Sequence, residues 1–146
     1  MVFLAILAIP VALALTMQQT TLSRDEAQVE YGASRSIYAS LAIYRNAVAA
    51  YKATHPSATG VVPDSALGLP AWYAKHGRFG HVLTASGGWV YYMPPEGAVP
   101  SLRAMAGNAA PATFGLAVSG IMRTLGSPTT IALPAGIPDG SVVLMV

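Results

Sequence analysis

The first seventeen residues, Met1-Val-Phe-Leu-Ala-Ile-Leu-Ala-Ile-Pro-Val-Ala-Leu-Ala-Leu-Thr-Met17, carry no ionisable side chain and almost no polar one. Such a run exposes a large apolar surface in water, so it belongs in a bilayer or a translocon. From Val2 to Met17 a helix reaches about 24 Å at 1.5 Å per residue, a little short of the roughly 30 Å hydrocarbon core. Thr20, Thr21 and Leu22 extend it, local thinning absorbs the rest, and Pro10 is tolerated in a membrane helix. A cleaved secretory signal is the competing reading. Against it, the small–x–small pattern of Ala12-Leu-Ala14 sits inside the apolar run and no basic segment precedes that run. Residues 1–22 are therefore read as a retained transmembrane anchor and 23–146 as an α+β domain on the far side of the membrane, with the N-terminus in the cytoplasm.

The 146 residues suit one small domain after the leader. Only 10 % of the chain is charged, against roughly 25 % in a typical soluble domain. Contact with a membrane or with other proteins fits that composition better than free diffusion. The eight Lys and Arg residues stand singly and give a formal net charge of +2. A nucleic-acid binder needs a concentrated basic face, so that class is set aside. With no cysteine, disulfide frameworks, thiolate catalysis and thiolate metal sites are excluded.

Ser23-Arg-Asp-Glu26 matches a capping box, with acidic residues in the first turn where the helix dipole favours them. Beyond it Ala33, Ile37, Leu41, Tyr44, Val48 and Tyr51 recur at spacings of three and four, one apolar stripe of a helix over 24–54. His55-Pro56 ends it, because proline disfavours helical geometry in the residue before it. The stripe packs on the chain's own sheet or, near the anchor, forms a seam with a partner helix. Pro63, Gly68 and Pro70 then punctuate an irregular loop, which Trp72 and Tyr73 are expected to pin to the core.

Strands are expected at His81–Thr84, Trp89–Met93, Thr129–Leu133 and Ser141–Val146. Short helices are expected over 98–107, with Pro100 in the first turn, and over 112–125. Asp139-Gly140 is a turn pair. The fold class is α+β and pilin-like: an N-terminal membrane helix and a long amphipathic helix packed on a small antiparallel sheet. Whether Val142–Val146 lies at a sheet edge, open to a partner strand, is left undecided.

Chemistry is sparse. His76 and His81 are separated by two glycines, and His55 ends the long helix, so no metal-ligand spacing arises. Asp25, Glu26 and Glu30 cap or solvate the helix, and Asp64, Glu96 and Asp139 sit in turns. Ser119-Gly120 lacks the upstream glycine of a nucleophile elbow, since residue 117 is alanine. The Gly-Ser pairs at 126–127 and 140–141 precede no phosphate-binding lysine. No catalytic residue, cofactor or metal is assigned. Asp64, Trp72, His76 and Arg78, in the loops around 64–72 and 76–78, are the candidates for contact with a partner.

Tyr51-Lys-Ala-Thr-His-Pro56, then Thr59-Gly-Val-Val-Pro-Asp-Ser-Ala-Leu-Gly-Leu-Pro-Ala-Trp72, resembles the PilM family of type IVb (thin) pilus systems. Gly88-Trp-Val-Tyr-Tyr92 and Leu133-Pro-Ala-Gly-Ile-Pro-Asp-Gly-Ser-Val-Val143 resemble the family's C-terminal half. The resemblance implies a single-pass bacterial inner-membrane protein with its domain in the periplasm. It implies a non-enzymatic structural role in a pilus basal body or in pilin transport, often on conjugative plasmids. Its implied partners are inner-membrane lipid and other pilus assembly proteins or pilin; whether the chain also forms a homo-oligomer is left undecided. The actin-like ATPase of type IVa pili that shares the family's name is a different fold, and its nucleotide loops are missing here. A minor pilin or pseudopilin is the nearest rival, although this chain has neither a basic leader ending in glycine nor an acidic residue within the apolar run. An exported adhesin-type binding subunit and a small periplasmic enzyme are the alternatives from other classes.

Overall fold

The computed structural model describes residues 28, 31–98, 100–107, 111–125 and 130–146. The chain divides into two compact units, Met1–Ala33 and Ser34–Val146. The expected membrane helix at 1–22, the capping box and the first residues of the amphipathic helix lie outside the described residues. Among those described, no helix is long and apolar enough to cross a membrane.

Helix α1 runs over residues 31–54 and stops at His55, as the following proline requires. Leu41, Tyr44 and Val48 of its stripe are fully buried, and Ile37 and Tyr51 pack at the margin of the same cluster. The stripe thus packs on the chain's own sheet. Tyr38 meets Phe114 edge-on at 5.0 Å between ring centroids.

A curled, six-stranded antiparallel sheet receives this face. Its strands are β1 Phe79–Thr84, β2 Gly87–Tyr92, β3 Phe114–Val118, β4 Ile121–Thr124, β5 Thr130–Ala132 and β6 Val142–Met145. They lie in the order β1-β2-β6-β3-β4-β5. Side chains alternate across the pleat. Phe79, Leu83, Val90, Tyr92, Phe114, Val142 and Leu144 face α1, while Trp89, Ala117, Met122 and Val143 form a second cluster. The last strand is central: Val142–Met145 pairs with β2 on one side and β3 on the other, so it offers no free edge. The outer edge of β1 is met by a single bridge, Gly60 to Leu83, with both hydrogen bonds at 2.8 Å.

Two expectations are overturned here. Residues 112–125 form no helix; they contain the β3–β4 hairpin, turning at Ser119-Gly120, whose φ angles of 52° and 76° are those of a type I′ turn. Ser-Gly supplies positive φ where the twist of paired strands demands it, and Phe114, Val118 and Ile121 favour the pleated surface. Trp72 does not pin the 61–75 loop, because its side chain is 74 % exposed. Tyr73 does so instead, together with the buried Leu67. The helix expected at 98–107 is shorter: α2 spans Leu102–Ala106, with the Ser101 hydroxyl accepting from the Ala104 N–H at 3.2 Å and Pro100 preceding that cap.

Two glycines let the sheet close. A Cβ at Gly80 would lie 2.4 Å from the Tyr91 ring, which crosses it from the register-paired position on β2. A Cβ at Gly115 would lie 2.4 Å from the Arg123 carbonyl oxygen, which is backbone and cannot swing aside. Gly115→Ala is therefore expected to destabilise the domain by about 1–3 kcal/mol as overpacking, and Gly80→Ala by less, because a ring can move. Urea midpoints at unchanged m values test this; an unshifted midpoint for Gly115→Ala would contradict the β3–β4 register.

Candidate functional site

Four ionisable side chains, Tyr44, Asp64, Lys75 and His81, meet where α1, β1 and the 61–75 loop come together. The α1 stripe turns Tyr44 toward the sheet, and the inward phase of β1 places His81 opposite it. Pro63 precedes a single 3₁₀ turn, Asp64–Ala66, that brings the Asp64 carboxylate over both. Tyr44 Oη lies 2.9 Å from Asp64 Oδ1 and 2.7 Å from His81 Nδ1. The Val62 N–H donates to His81 Nε2 at 3.0 Å. Lys75 Nζ donates to Asp64 Oδ2 at 2.6 Å and stands 5.1 Å from the Tyr44 ring centroid.

These contacts fix the protons. Nε2 accepts from a backbone amide, so it is bare, and in a neutral imidazole the proton must then sit on Nδ1. Nδ1–H donates to Tyr44 Oη, the Tyr44 hydroxyl donates to Asp64, and Lys75 closes the chain on the other carboxylate oxygen. Burial pushes the pKa of His81, only 2 % exposed, below the ordinary imidazole value, with Lys75 acting in the same direction against the attraction of Asp64. Burial likewise pushes the Tyr44 phenol far up, helped by its hydrogen bond to Asp64 and that group's charge. Burial would raise Asp64, but the hydrogen bonds from Lys75 and Tyr44 and the charge of Lys75 outweigh it and hold the carboxyl below its ordinary value.

Beside this cluster Tyr73 donates its hydroxyl to the Ser40 carbonyl at 2.9 Å and accepts from the Ser40 hydroxyl at 3.2 Å. The loop is thereby tied to α1 twice, once through Tyr44 and once through Ser40. Each polar atom in the cluster has an internal partner. The arrangement ties the loop to α1 and β1. A shallow cleft of about 270 Å³ runs past Val61, Asp64, Lys75 and His81. A larger one of about 510 Å³ lies between Arg78, Pro94, Glu96 and Asp139, all but the proline exposed. Among the described residues no group of three His, Cys, Asp or Glu side chains is placed to hold a metal ion.

The four residues named from sequence fall into different settings. Asp64 belongs to the cluster. Trp72 projects outward, its ring edge-on to Tyr73 at 6.2 Å between centroids. His76 is exposed, leaning on Phe79 at 5.3 Å and Tyr92 at 5.5 Å. Its Nδ1 accepts from the Arg78 N–H at 3.1 Å, and the Arg78 guanidinium reaches the Pro94 carbonyl at 3.2 Å. Sequence reasoning missed Tyr44, Lys75 and His81 as a unit. The available signal was a histidine at an inward-facing position of a strand, where an apolar residue is the norm. Tyr44→Phe leaves the Asp64 oxygen and the His81 Nδ1–H without their shared partner, an expected loss of about 1–3 kcal/mol. Combined with Asp64→Asn in a double-mutant cycle, the losses should fall short of additivity; strict additivity in urea unfolding would show that the two groups do not interact.

Comparison with known proteins places the chain. The family model PilM matches residues 5–145, close to the whole length. The crystal structure of a provisionally designated PilM protein from Pseudomonas aeruginosa 2192 is 32 % identical, covering 77 % of this chain and 93 % of its own, with a TM-score of 0.46; the identity, not the superposition, carries that kinship. A second provisionally designated PilM, from Escherichia coli B7A, is 24 % identical, covers 79 % of this chain and 92 % of its own, and has a TM-score of 0.55, which shows a shared fold. Among proteins of curated function none matches. With the family model covering both the apolar leader and the sheet, the chain belongs to the PilM family.

Proposed function

We propose that the chain is a non-enzymatic structural component of a type IVb pilus or its secretion apparatus, acting in the basal body or in pilin transport. Residues 1–22 anchor it in the bacterial inner membrane by a single pass, and residues 23–146 stand in the periplasm. Tethering confines the domain to the membrane plane and raises its effective concentration for neighbours held there. Those neighbours are other pilus assembly proteins or pilin. Family membership supports the pilus setting, and the family match beginning at residue 5 includes most of the apolar run.

The observation that carries the non-enzymatic reading is the internal pairing of Tyr44, His81, Asp64 and Lys75. Groups that resemble catalytic machinery by type are spent on one another and on the Val62 amide. What the cluster holds in place is a loop bearing Trp72 and Val61, which are 74 % and 73 % exposed. Large apolar side chains on an immobilised backbone suit the anchor positions of a protein interface, where tryptophan is enriched.

Detergent-solubilised membranes provide the test. Full-length protein is expected to recover other pilus components, and a form lacking residues 1–22 is expected to recover none. Trp72→Ala in the full-length protein is expected to cut recovery by about ten-fold or more, the scale of an interface hot spot. A mature polypeptide beginning near Leu15 in the soluble fraction would overturn the anchored reading, and unchanged recovery with Trp72→Ala would overturn the docking loop.

A further inference from the structure

The geometry points to an acid-triggered latch: protonation of His81 releases the Val61–Leu67 segment from β1 and α1 while the sheet stays folded. His81 is held in one tautomer by its surroundings. Its Nε2 is an acceptor only because it is bare, and its partner is a backbone N–H that has nothing else to offer. A proton added at Nε2 turns that contact into donor against donor and charges a side chain that is 2 % exposed. Nδ1–H already donates to Tyr44 Oη, so the imidazolium cannot be accommodated by exchanging the tautomer.

Every element packed around the ring contributes to the balance. From α1 comes Tyr44, which is neutral and gives its own proton to Asp64. From the 3₁₀ turn comes Asp64, the one negative charge in reach among the described residues, and it is already compensated by Lys75 from the far end of the loop at 2.6 Å. On β2 the register-paired residue is Val90, which is apolar and fully buried. Tyr73 lies further out, bound to Ser40, and burial pushes its phenol above the ordinary value. Among the described residues no uncompensated anion therefore faces His81 to stabilise a positive ring. Among the described residues the backbone of this stretch meets β1 only through the Gly60–Leu83 bridge and the Val62 contact, so the segment can lift from the sheet edge, giving up the Asp64–Tyr44 bond and the packing of Leu67 as it does.

The direction with pH follows from linkage. The imidazole pKa in the latched form is depressed, whereas in the released form it returns to about 6.5. Above about pH 6.5 the latch is at full strength; below it the released form binds the extra proton and gains population as pH falls. Asp64, also depressed, adds to the loss only below its own ordinary value of 3.8. If the docking loop is as proposed, acid would withdraw its ordered presentation; the latch itself does not depend on that reading.

Amide hydrogen exchange on the full-length protein in detergent tests it, corrected for the intrinsic pH dependence of exchange. Between about pH 7.5 and pH 5, the opening equilibrium of the Val62 and Leu67 amides should rise by up to about ten-fold per pH unit below about 6.5, while amides of β2 and β6 keep their protection. His81→Gln, whose side-chain oxygen can accept from Val62 and does not titrate, should abolish the pH dependence. Unchanged loop protection down to pH 5, or a loop that opens only when β2 and β6 open with it, would overturn the latch. Failure of partner recovery at pH 7.5 would bear on the docking reading alone.

Discussion

The sheet is held together by its last strand. Val142–Met145 carries two ladders, one to the β1–β2 hairpin and one to the β3–β4–β5 meander, and without it these are separate two- and three-stranded pieces. Short ribbons of that size are marginal alone in water. β6 also fills both faces: Val142 and Leu144 enter the core under α1, while Val143 packs with Trp89, Ala117 and Met122 on the other side. Arg45 of α1 donates to the Met145 carbonyl at 2.8 Å, so the helix grips the strand end directly. Pairings this distant in sequence make closure a late, entropically costly step. The two hairpins can form locally, and the helix can pack fully only once the end of the chain has joined them.

Tyr44 links that core to the polar cluster. Its ring belongs to the α1 stripe and lies 6.1 Å from the Phe79 ring, and its hydroxyl is shared between Asp64 and His81. The same helical phase that buries the ring therefore sets where the loop can dock. The Asp64–Lys75 pair on its own is a surface contact, with side chains 45 % and 26 % exposed, and such pairs contribute little to stability. Its importance lies in keeping Asp64 ionised as the acceptor for a buried hydroxyl. A buried hydrogen-bond chain that is satisfied throughout gives order, whereas one with a missing member costs more than it returns.

How much of this could be read from sequence depends on the range of the cause. The end of α1 at residue 54, the strands around 81–84 and 89–92 and the Asp139-Gly140 turn rest on local chemistry, and the structure has them where expected within a residue or two. The 112–125 stretch misled because Ala112, Leu116 and Ala117 are good helix formers, and Gly115 weakens helix and strand alike. Its glycine is there to let Arg123 approach from the neighbouring strand, a reason that no local window contains. The cluster was illegible as a unit for the same cause: Tyr44, Asp64, Lys75 and His81 come from four segments and meet only through the fold. The anchor at 1–22, on which the sequence is most insistent, falls outside the described residues.

Neighbouring aromatics Trp72 and Tyr73 show how the loop decides which surface it offers. Both are large, and burial of either would stabilise the loop, yet only one can face α1 at this turn. The inward position lies against the Ser40 carbonyl and hydroxyl, two groups that a phenol can serve as donor and acceptor, whereas an indole can only donate. Tyrosine therefore satisfies the site and tryptophan is left outside, its ring resting edge-on against its neighbour. Exposure of Trp72 is thus a consequence of hydrogen-bond matching at residue 73, and Tyr73 fixes the backbone that carries it. Part of the entropy that a flexible loop would lose on meeting a partner has then already been given up in folding. Such prior ordering favours recognition by shape over adjustment after contact.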